Sequence, residues 1–330
     1  MNVLVIGGAG YIGSHVVYEL NDAGHRVTIL DNFSTGLREN ADARATLVEG
    51  DMQEIPLLDR LLSGNGDNGS GSGDKFDSVF HFAALKAPGE SMEKPGIYTR
   101  HNLIATMELI DAIVRHDVRN LVFSSSAATY GNPEYLPIDE DHPQKPINYY
   151  GYTKLVIEQT LAWYSRLKNL RYAALRYFNA AGYDVKGRIT GKEQNPANLL
   201  PIVMEVAGGK RDKMQVFGND YPTRDGTCIR DYIHVNDLAT AHVRAMTYLR
   251  DQDRDLTLNL ATGTGYTVLE VIREAEKISG KPVSHEITGR RHGDPAELVA
   301  ASNRAFDHIG WKAVHSDLTQ LVESMWNVYK

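Results

Sequence analysis

Val3-Leu4-Val5-Ile6 runs straight into Gly7-Gly8-Ala9-Gly10-Tyr11-Ile12-Gly13, and few folds can use an apolar strand that ends this way. Gly8, Gly10 and Gly13 fit the spacing G-x-G-x-x-G. Glycines at the first positions let the backbone turn sharply and approach a pyrophosphate, and the last lets a helix pack close to the strand. The N-terminus of that helix presents unpaired N–H groups and partial positive charge to phosphates. Alone the motif is weak, because many apolar strands end in glycine. Here Arg26-Val27-Thr28-Ile29-Leu30 reads as a second strand ending on Asp31. An acid there can bind the adenosine ribose hydroxyls and repel a 2′-phosphate. The pattern therefore predicts an NAD-binding βαβ unit.

At 330 residues the chain suits a nucleotide-binding domain with a substrate-binding partner domain. With 42% hydrophobic and 23% charged residues it is ordinary for a globular protein. A formal charge of −7 argues against nucleic acid or an anionic membrane as partner, so an anionic substrate must be met by local arginines. Cys228 is the only cysteine, which excludes an intrachain disulfide and suits a reducing cytoplasm. No leader-like or membrane-spanning segment stands out, so a soluble cytoplasmic protein is expected. No metal is expected.

The first half alternates β-branched runs with helical patterns, as a Rossmann-type doubly wound parallel sheet requires. Strands are expected at 2–6, 26–30, 46–49, 78–82, 120–124 and 172–176, with helices starting near Tyr11, Ile55, Ile97 and Tyr149. The segment Ser63–Asp74 contains no apolar residue and reads as a mobile surface loop. The expected division is an α/β NAD-binding domain over 1–177 and a smaller mixed α/β substrate domain over 178–330. A helix-like run lies near 198–208, and residues 231–260 are expected to return to the first domain. Within them Asp231–Leu238 reads as a strand followed by a capped helix.

Tyr150 and Lys154 are one helical turn apart, so on a helix phenol and ammonium share a face. Such a pair usually lies on a solvated surface. The strand Leu121-Val122-Phe123, however, runs into Ser124-Ser125-Ser126, placing hydroxyls at the carboxyl edge of the sheet, where ligands sit in open α/β folds. A tyrosine with pKa about 10 is a poor base at neutral pH. One positive charge about 5 Å away, at an effective dielectric of about 20, is worth roughly 3 kcal/mol or about 2 pKa units. Tyr150, Lys154 and Ser126 thus form a proton-transfer device for carbinol oxidation beside a dinucleotide.

These motifs, with His81-Phe82-Ala83-Ala84-Leu85-Lys86 and Ser124–Gly131, resemble the extended short-chain dehydrogenase/reductase superfamily. Leu175–Asn179, Phe217–Thr223 with Asp225-Gly226-Thr227, Arg230–Val235 and Arg290–Asp294 are similar to its UDP-glucose 4-epimerase family. The resemblance spans nearly the whole chain. It implies an isomerase that interconverts UDP-galactose and UDP-glucose. C4 is oxidised transiently by bound NAD, a 4-keto sugar swings over, and hydride returns to the opposite face. Tyr150 would be the base, Ser126 would hydrogen-bond the oxyanion, and Lys154 would also hold the nicotinamide ribose.

The same resemblance implies cofactor contacts from Gly7, Gly10, Tyr11, Ile12, Gly13, Asp31 and Asn32. Asp51 would accept from the adenine amino group, with Met52, Phe80, Ala83, Lys86 and Asn102 nearby and Tyr177 and Phe178 farther along the chain. For substrate it implies Lys86, Asn179, Asn198, Leu199, Gln215 and Phe217. Arg230 and Arg291 would pair with the diphosphate, Asp294 would accept ribose hydroxyls, and Tyr232 and Leu298 would complete the set. The family's Asn-Asn-Val-x-Gly-Thr stretch is altered to His101-Asn102-Leu103-Ile104-Ala105-Thr106, which keeps only the second asparagine; Tyr149 replaces a usually small residue or proline. Leucine at Leu298, where the family can carry a bulky tyrosine, implies acceptance of UDP-N-acetylglucosamine and UDP-N-acetylgalactosamine as well. A homodimer packed through helices near 97–116 and 150–168 is also implied.

Two other functions fit less well. A nucleotide-sugar 4,6-dehydratase needs an acid and a base after the active-site hydroxyl, and Ser126 is followed by Ala127-Ala128. A catalytically silent NAD-sensing protein need not keep hydroxyl, phenol and ammonium together.

Overall fold

The computed structural model describes residues 1–64, 75–193, 196–291 and 294–330. Ser63 and Gly64 close a turn after a helix, and the rest of the expected loop, 65–74, lies outside the described residues. The chain divides into two compact units. The first comprises Met1–Gly131, Gln144–Arg176 and Ala239–Leu258, and the second Asn132–Pro143, Tyr177–Leu238 and Asn259–Lys330.

In chain order the elements are β1 (Asn2–Ile6), α1 (Tyr11–Asp22), β2 (Arg26–Asp31), β3 (Thr46–Glu49), α2 (Ile55–Leu62) and β4 (Ser78–His81). There follow α3 (Pro88–Glu93), α4 (Pro95–Tyr98), α5 (Ala105–Arg115), β5 (Asn120–Ser126), α6 (Tyr149–Lys168) and β6 (Arg171–Tyr177). Next come β7 (Asn179–Ala181), α7 (Leu199–Ala207), β8 (Met214–Phe217), β9 (Ile229–His234), α8 (Val235–Gln252) and β10 (Leu256–Leu260). The chain ends with β11 (Gly265–Thr267), α9 (Val268–Ser279), β12 (His285–Thr288), β13 (Glu297–Leu298), α10 (Asn303–Ile309) and α11 (Leu318–Tyr329).

The first unit is built on a seven-stranded sheet of order β10-β6-β5-β4-β1-β2-β3. β1 pairs in parallel with β2 and β4, β2 with β3, and β4 with β5. Val3, Leu4 and Val5 are each fully buried, because helices cover both faces of such a sheet. On one side Leu58 and Leu62 of α2, Leu109 and Ile113 of α5 and Leu161 of α6 meet Leu4, Phe123 and Ala174 of the sheet. Strand order reverses between β1 and β4, and ligands of doubly wound folds bind beyond the carboxyl ends of the strands at that switch point.

Three local features differ from the sequence expectation. The helix expected to begin near Ile97 is instead two short helices, each opened by a proline that suits the first helical position but stops a preceding turn. A π-helical segment, Thr99–Ile104, then leads into α5. β5 continues to Ser126, and a seventh strand, β10, adds to the sheet edge beside β6. β10 is hard to read because Leu256-Thr257-Leu258-Asn259-Leu260 is brief and its polar Asn259 is also buried.

In the second unit β9 is central, flanked by β11 and β13, with β7 also paired to it; β8 and β12 form a separate ribbon. α9 starts with a capping box, in which Thr267 Oγ1 accepts from Glu270 N–H at 3.1 Å and Glu270 accepts from Thr267 N–H at 2.8 Å. No described helix is long and apolar enough to cross a membrane.

Candidate active site

The glycine turn joins β1 to α1 with bare backbone. Gly7 has φ +80°, and a Cβ there would lie 2.7 Å from Ala83 N; a Cβ on Gly13 would lie 2.2 Å from Gly7 O. Gly10, Tyr11, Ile12 and Gly13 thus stand at the helix N-terminus, beside the segment that leaves β4. Asp31 ends β2, where its carboxylate accepts from Ala9 N–H and Phe33 N–H, each at 2.9 Å. Asn32 donates to Asp51 at 2.8 Å, and Met52 follows, buried. Burial opposes the charge on Asp51, but hydrogen bonds from Gln53 and Asn32 win and hold its pKa below the usual carboxylate range.

The segment after β4 is clamped at alternate residues. Asn102, buried in the π-helical segment, accepts from Leu85 N–H at 2.9 Å and donates to Leu85 O at 3.0 Å and Thr153 Oγ1 at 3.3 Å. Tyr98 does the same at Ala87: its hydroxyl accepts from the N–H at 3.1 Å and donates to the carbonyl at 2.8 Å. Lys86 projects, exposed, between the two clamps. π-Helical turns are rare and recur at functional sites. Phe80 and Ala83 of this strand end are buried and partly buried.

α6 presents Tyr150 and Lys154. Its start is fixed by Asn148, whose side chain accepts from Gly151 N–H at 2.8 Å, and its end by Asn169 in the left-handed region. Tyr150 N–H donates to Ser91 Oγ at 3.0 Å. Lys154 is almost fully buried, with Nζ donating to Ser124 O at 2.8 Å, 4.8 Å from the Phe123 ring centre and 5.9 Å from that of Tyr150. Ser126 Oγ accepts from Ala128 N–H at 3.1 Å and lies close enough to the Tyr150 phenol to influence its ionisation. The three residues expected to carry the chemistry are thus together.

Burial dominates the electrostatics. It pushes the Tyr150 phenol up, with the neighbouring Ser126 hydroxyl pulling the other way. It pushes Lys154 down to about 7, opposed by the charge of Glu158. His81, fully buried and 2.8 Å from Thr106 Oγ1, is driven by burial, with Lys154 acting in the same sense, to about 3 and stays neutral. Among the described residues no cluster of His, Cys, Asp or Glu is arranged to hold a metal ion.

In the second unit, strand register gathers four of the residues expected to meet substrate. Leu298 of β13 lies opposite Arg230 of β9, and Asn179 of β7 opposite Tyr232. Residues two apart on a strand share a face, so Asn179, Arg230, Tyr232 and Leu298 line one side of this sheet. Arg230 is held by Asp294 at 3.3 Å and by Pro295 O at 3.0 Å, so the cation and the carboxylate expected to serve diphosphate and ribose are paired to each other. Arg291 is exposed, with its guanidinium 4.2 Å from the Phe217 ring centre; Gln215 lies on the same face of β8. Asn198 precedes α7 without capping it, and Leu199 is the first helical residue. Tyr177 ends β6, buried, and Phe178 follows it, partly buried. A groove of about 810 Å³, lined by Thr262, Tyr266, Phe306 and Trp311 among others, contains none of these residues.

Sequence reasoning missed the supports. Tyr98, Ser91, Gly151, Glu158 and Arg176 act through long-range partners, and only Gly151, between two tyrosines at a helix start, carried a local signal.

The chain matches the NAD dependent epimerase/dehydratase family over residues 3–261. It is 44% identical to a UDP-glucose 4-epimerase of Halalkalibacterium halodurans, over 100% of this chain and 96% of that one. A crystal structure of UDP-glucose 4-epimerase from Brucella ovis in complex with NAD superposes with a TM-score of 0.94 at 41% identity, covering 99% and 98% of the two chains. One from Stenotrophomonas maltophila, with bound NAD and formylated UDP-arabinopyranose, gives 0.93 at 41% identity, covering 100% and 98%. With its glycine turn, its clustered serine, tyrosine and lysine and these full-length relatives, the chain belongs to the NAD dependent epimerase/dehydratase family.

Proposed function

We propose that this protein is a UDP-glucose 4-epimerase, interconverting UDP-galactose and UDP-glucose with NAD retained between turnovers. The observation that carries the reading is the meeting of Tyr150, Lys154 and Ser126 at the ends of β5 and α6, in the unit that holds the glycine turn. The turn fits the cofactor's pyrophosphate because Gly7 and Gly13 let the chain fold closely on itself, where a Cβ would strike Ala83 N or Gly7 O, and so bring bare backbone to the N-terminus of α1. Gly10 to Gly13 would hold the phosphates, Asp31 and Asn32 the adenosine ribose, and Asp51 and Met52 the adenine. Lys86, Tyr150 and Lys154 would hold the nicotinamide half, with Asn102 fixing the segment that carries Lys86 through its clamp on Leu85. Bound NAD supplies a reversible acceptor for the hydrogen at C4, together with a positive charge.

Tyr150 takes the proton from O4 as C4 is oxidised and returns it when C4 is reduced. Its buried phenol favours the protonated form, so a positive charge is needed to make it a base. Lys154 contributes one such charge, and an ammonium about 6 Å away is worth roughly 3 kcal/mol at an effective dielectric of about 20. Ser126 donates to the oxygen as charge develops on it. Arg230 and Arg291 would grip the diphosphate, leaving the 4-keto hexose free to turn over. Leu298, smaller than tyrosine, leaves room for an N-acetyl group, so UDP-N-acetylglucosamine and UDP-N-acetylgalactosamine are included as substrates. The second unit's residues from 178 onward serve the UDP-sugar.

A 4,6-dehydratase is disfavoured because Ala127 and Ala128 follow Ser126 and carry no proton donor. The protein is also proposed to be cytoplasmic and a homodimer. Tyr152, Trp163 and Leu167 recur along one side of α6 at 47%, 59% and 67% exposure, an apolar stripe that a second copy would cover. Incubating the purified protein with UDP-galactose, without added cofactor, tests the function. UDP-glucose should accumulate to equilibrium, and its absence would reject the reading.

A further inference from the structure

We propose that Glu158, fixed by Arg176, is a positioning residue for this reaction: it holds the end of β5 and supplies the negative charge that keeps Lys154 an ammonium. The inference rests on the epimerase reading. Lys154 is nearly fully buried, donates to a neutral carbonyl and makes no direct ion pair among the described residues. A lysine so placed sheds its proton unless an anion lies near. Glu158 is one helical turn farther along α6 on the same face, and only 7% exposed.

Its carboxylate is held from three directions. Arg176 on β6 donates through Nε at 3.0 Å and Nη2 at 2.5 Å, Ser125 donates through its hydroxyl, and Gln144 donates at 3.2 Å. Arg176 also donates to the Tyr130 hydroxyl at 2.9 Å, tying in the turn that follows β5. Ser125 lies between Ser124, whose carbonyl receives Lys154, and Ser126, whose hydroxyl meets Tyr150. Alternation along β5 turns Ser125 to the face where Phe123 packs against Lys154, so Glu158 grips the strand end from the α6 side, beside Lys154. A buried ion pair adds little net stability, which makes this one a poor staple but a good fixed charge.

The other groups around Lys154 are not anions. Tyr150 on α6 is a phenol held protonated by burial, Phe123 on β5 is apolar, and His81 on β4 is neutral. The guanidinium of Arg176 is bonded to Glu158 and to the Tyr130 hydroxyl. Burial pulls Lys154 down, and the Glu158 charge is what resists it.

The test follows the Lys154 ammonium by NMR in the purified full-length protein, labelled at the lysine ε-carbons, the signal being the one absent from Lys154→Arg. In Glu158→Gln its titration midpoint should fall by about 1–3 pH units. The alkaline limb of the kcat profile for UDP-galactose should move the same way, with KM little changed. Glu158→Gln strands a buried guanidinium, so Glu158→Gln/Arg176→Gln, which removes both charges, serves as the second variant and should also show a lowered midpoint. A Lys154 midpoint unchanged from the parent in the folded variants overturns the proposal. A parent without epimerase activity would reject the functional reading instead, and the titration would still judge the role of Glu158.

Discussion

A Cβ on Gly151 would lie 2.3 Å from the carbonyl oxygen of Ala128, so the first turn of α6 and the turn after β5 meet backbone to backbone. That approach is what brings the phenol of Tyr150 to the hydroxyl of Ser126.

Gly151→Ala must therefore push the two turns apart. Overpacking of this kind costs about 1–3 kcal/mol, and the displaced Tyr150 should lower kcat about tenfold or more. Gly89→Ala, at a helical glycine with nothing within 4 Å of the added carbon, is the matched control and should change stability by less than about 0.5 kcal/mol. Thermal unfolding and turnover of both variants check this. Equal behaviour would mean the contact is not what sets the site.

Leu298→Tyr should remove activity on UDP-N-acetylglucosamine while sparing UDP-glucose. Leu298 stands opposite Arg230 in the register of β13 and β9, so its side chain lies on the face expected to receive UDP-sugar. The ratio of the two kcat/KM values is the measurement. A parent inactive on the N-acetylated sugar, or a tyrosine variant that keeps that activity, would show that Leu298 does not set selectivity.

What could be read from the sequence was what depends on neighbours in the chain. The glycine turn, Asp31 at the end of its strand, and Tyr150 with Lys154 on one helix face follow from spacing alone. The start of α5 was obscured by Pro88 and Pro95, which divide the preceding helix, and by the π-helical segment that follows. Tyr98 reads as a core aromatic, and nothing near it in sequence announces that its hydroxyl holds Ala87. Arg176 lies far along the chain from both Tyr130 and Glu158, so their network exists only once β5, α6 and β6 are assembled. The opposition of Leu298 and Arg230 is likewise a matter of strand register.

Asp184 should make the second unit sensitive to acid. Burial favours its neutral form, but hydrogen bonds from Arg188, at 2.8 Å through Nε and 2.9 Å through the backbone N–H, and from Asn236 outweigh it and lower its pKa to about 2. A carboxyl with a folded pKa below its unfolded value stabilises above about pH 4 and loses that contribution as pH falls towards about 2. Asp184→Asn should therefore unfold at lower urea concentration than the parent at pH 7, by about 2 kcal/mol, with the gap narrowing below about pH 4. A gap independent of pH would exclude ionisation as the source.

Trp163→Glu/Leu167→Glu places charge on the apolar stripe of α6. Light scattering coupled to size exclusion should show a dimer for the parent and a monomer for the variant, with the NAD content of the two compared alongside. A parent that is monomeric at micromolar concentration would reject the proposed interface.

In the proposed reaction C4 is oxidised and reduced again without exchanging its hydrogen with water, while Tyr150 moves only the O4 proton. Converting UDP-galactose deuterated at C4 in ordinary water, with no added cofactor, tests it directly. The UDP-glucose formed should retain deuterium at C4, with Tyr150→Phe slowed by at least about a hundredfold but still carrying NAD. Loss of deuterium to solvent in the product would contradict it.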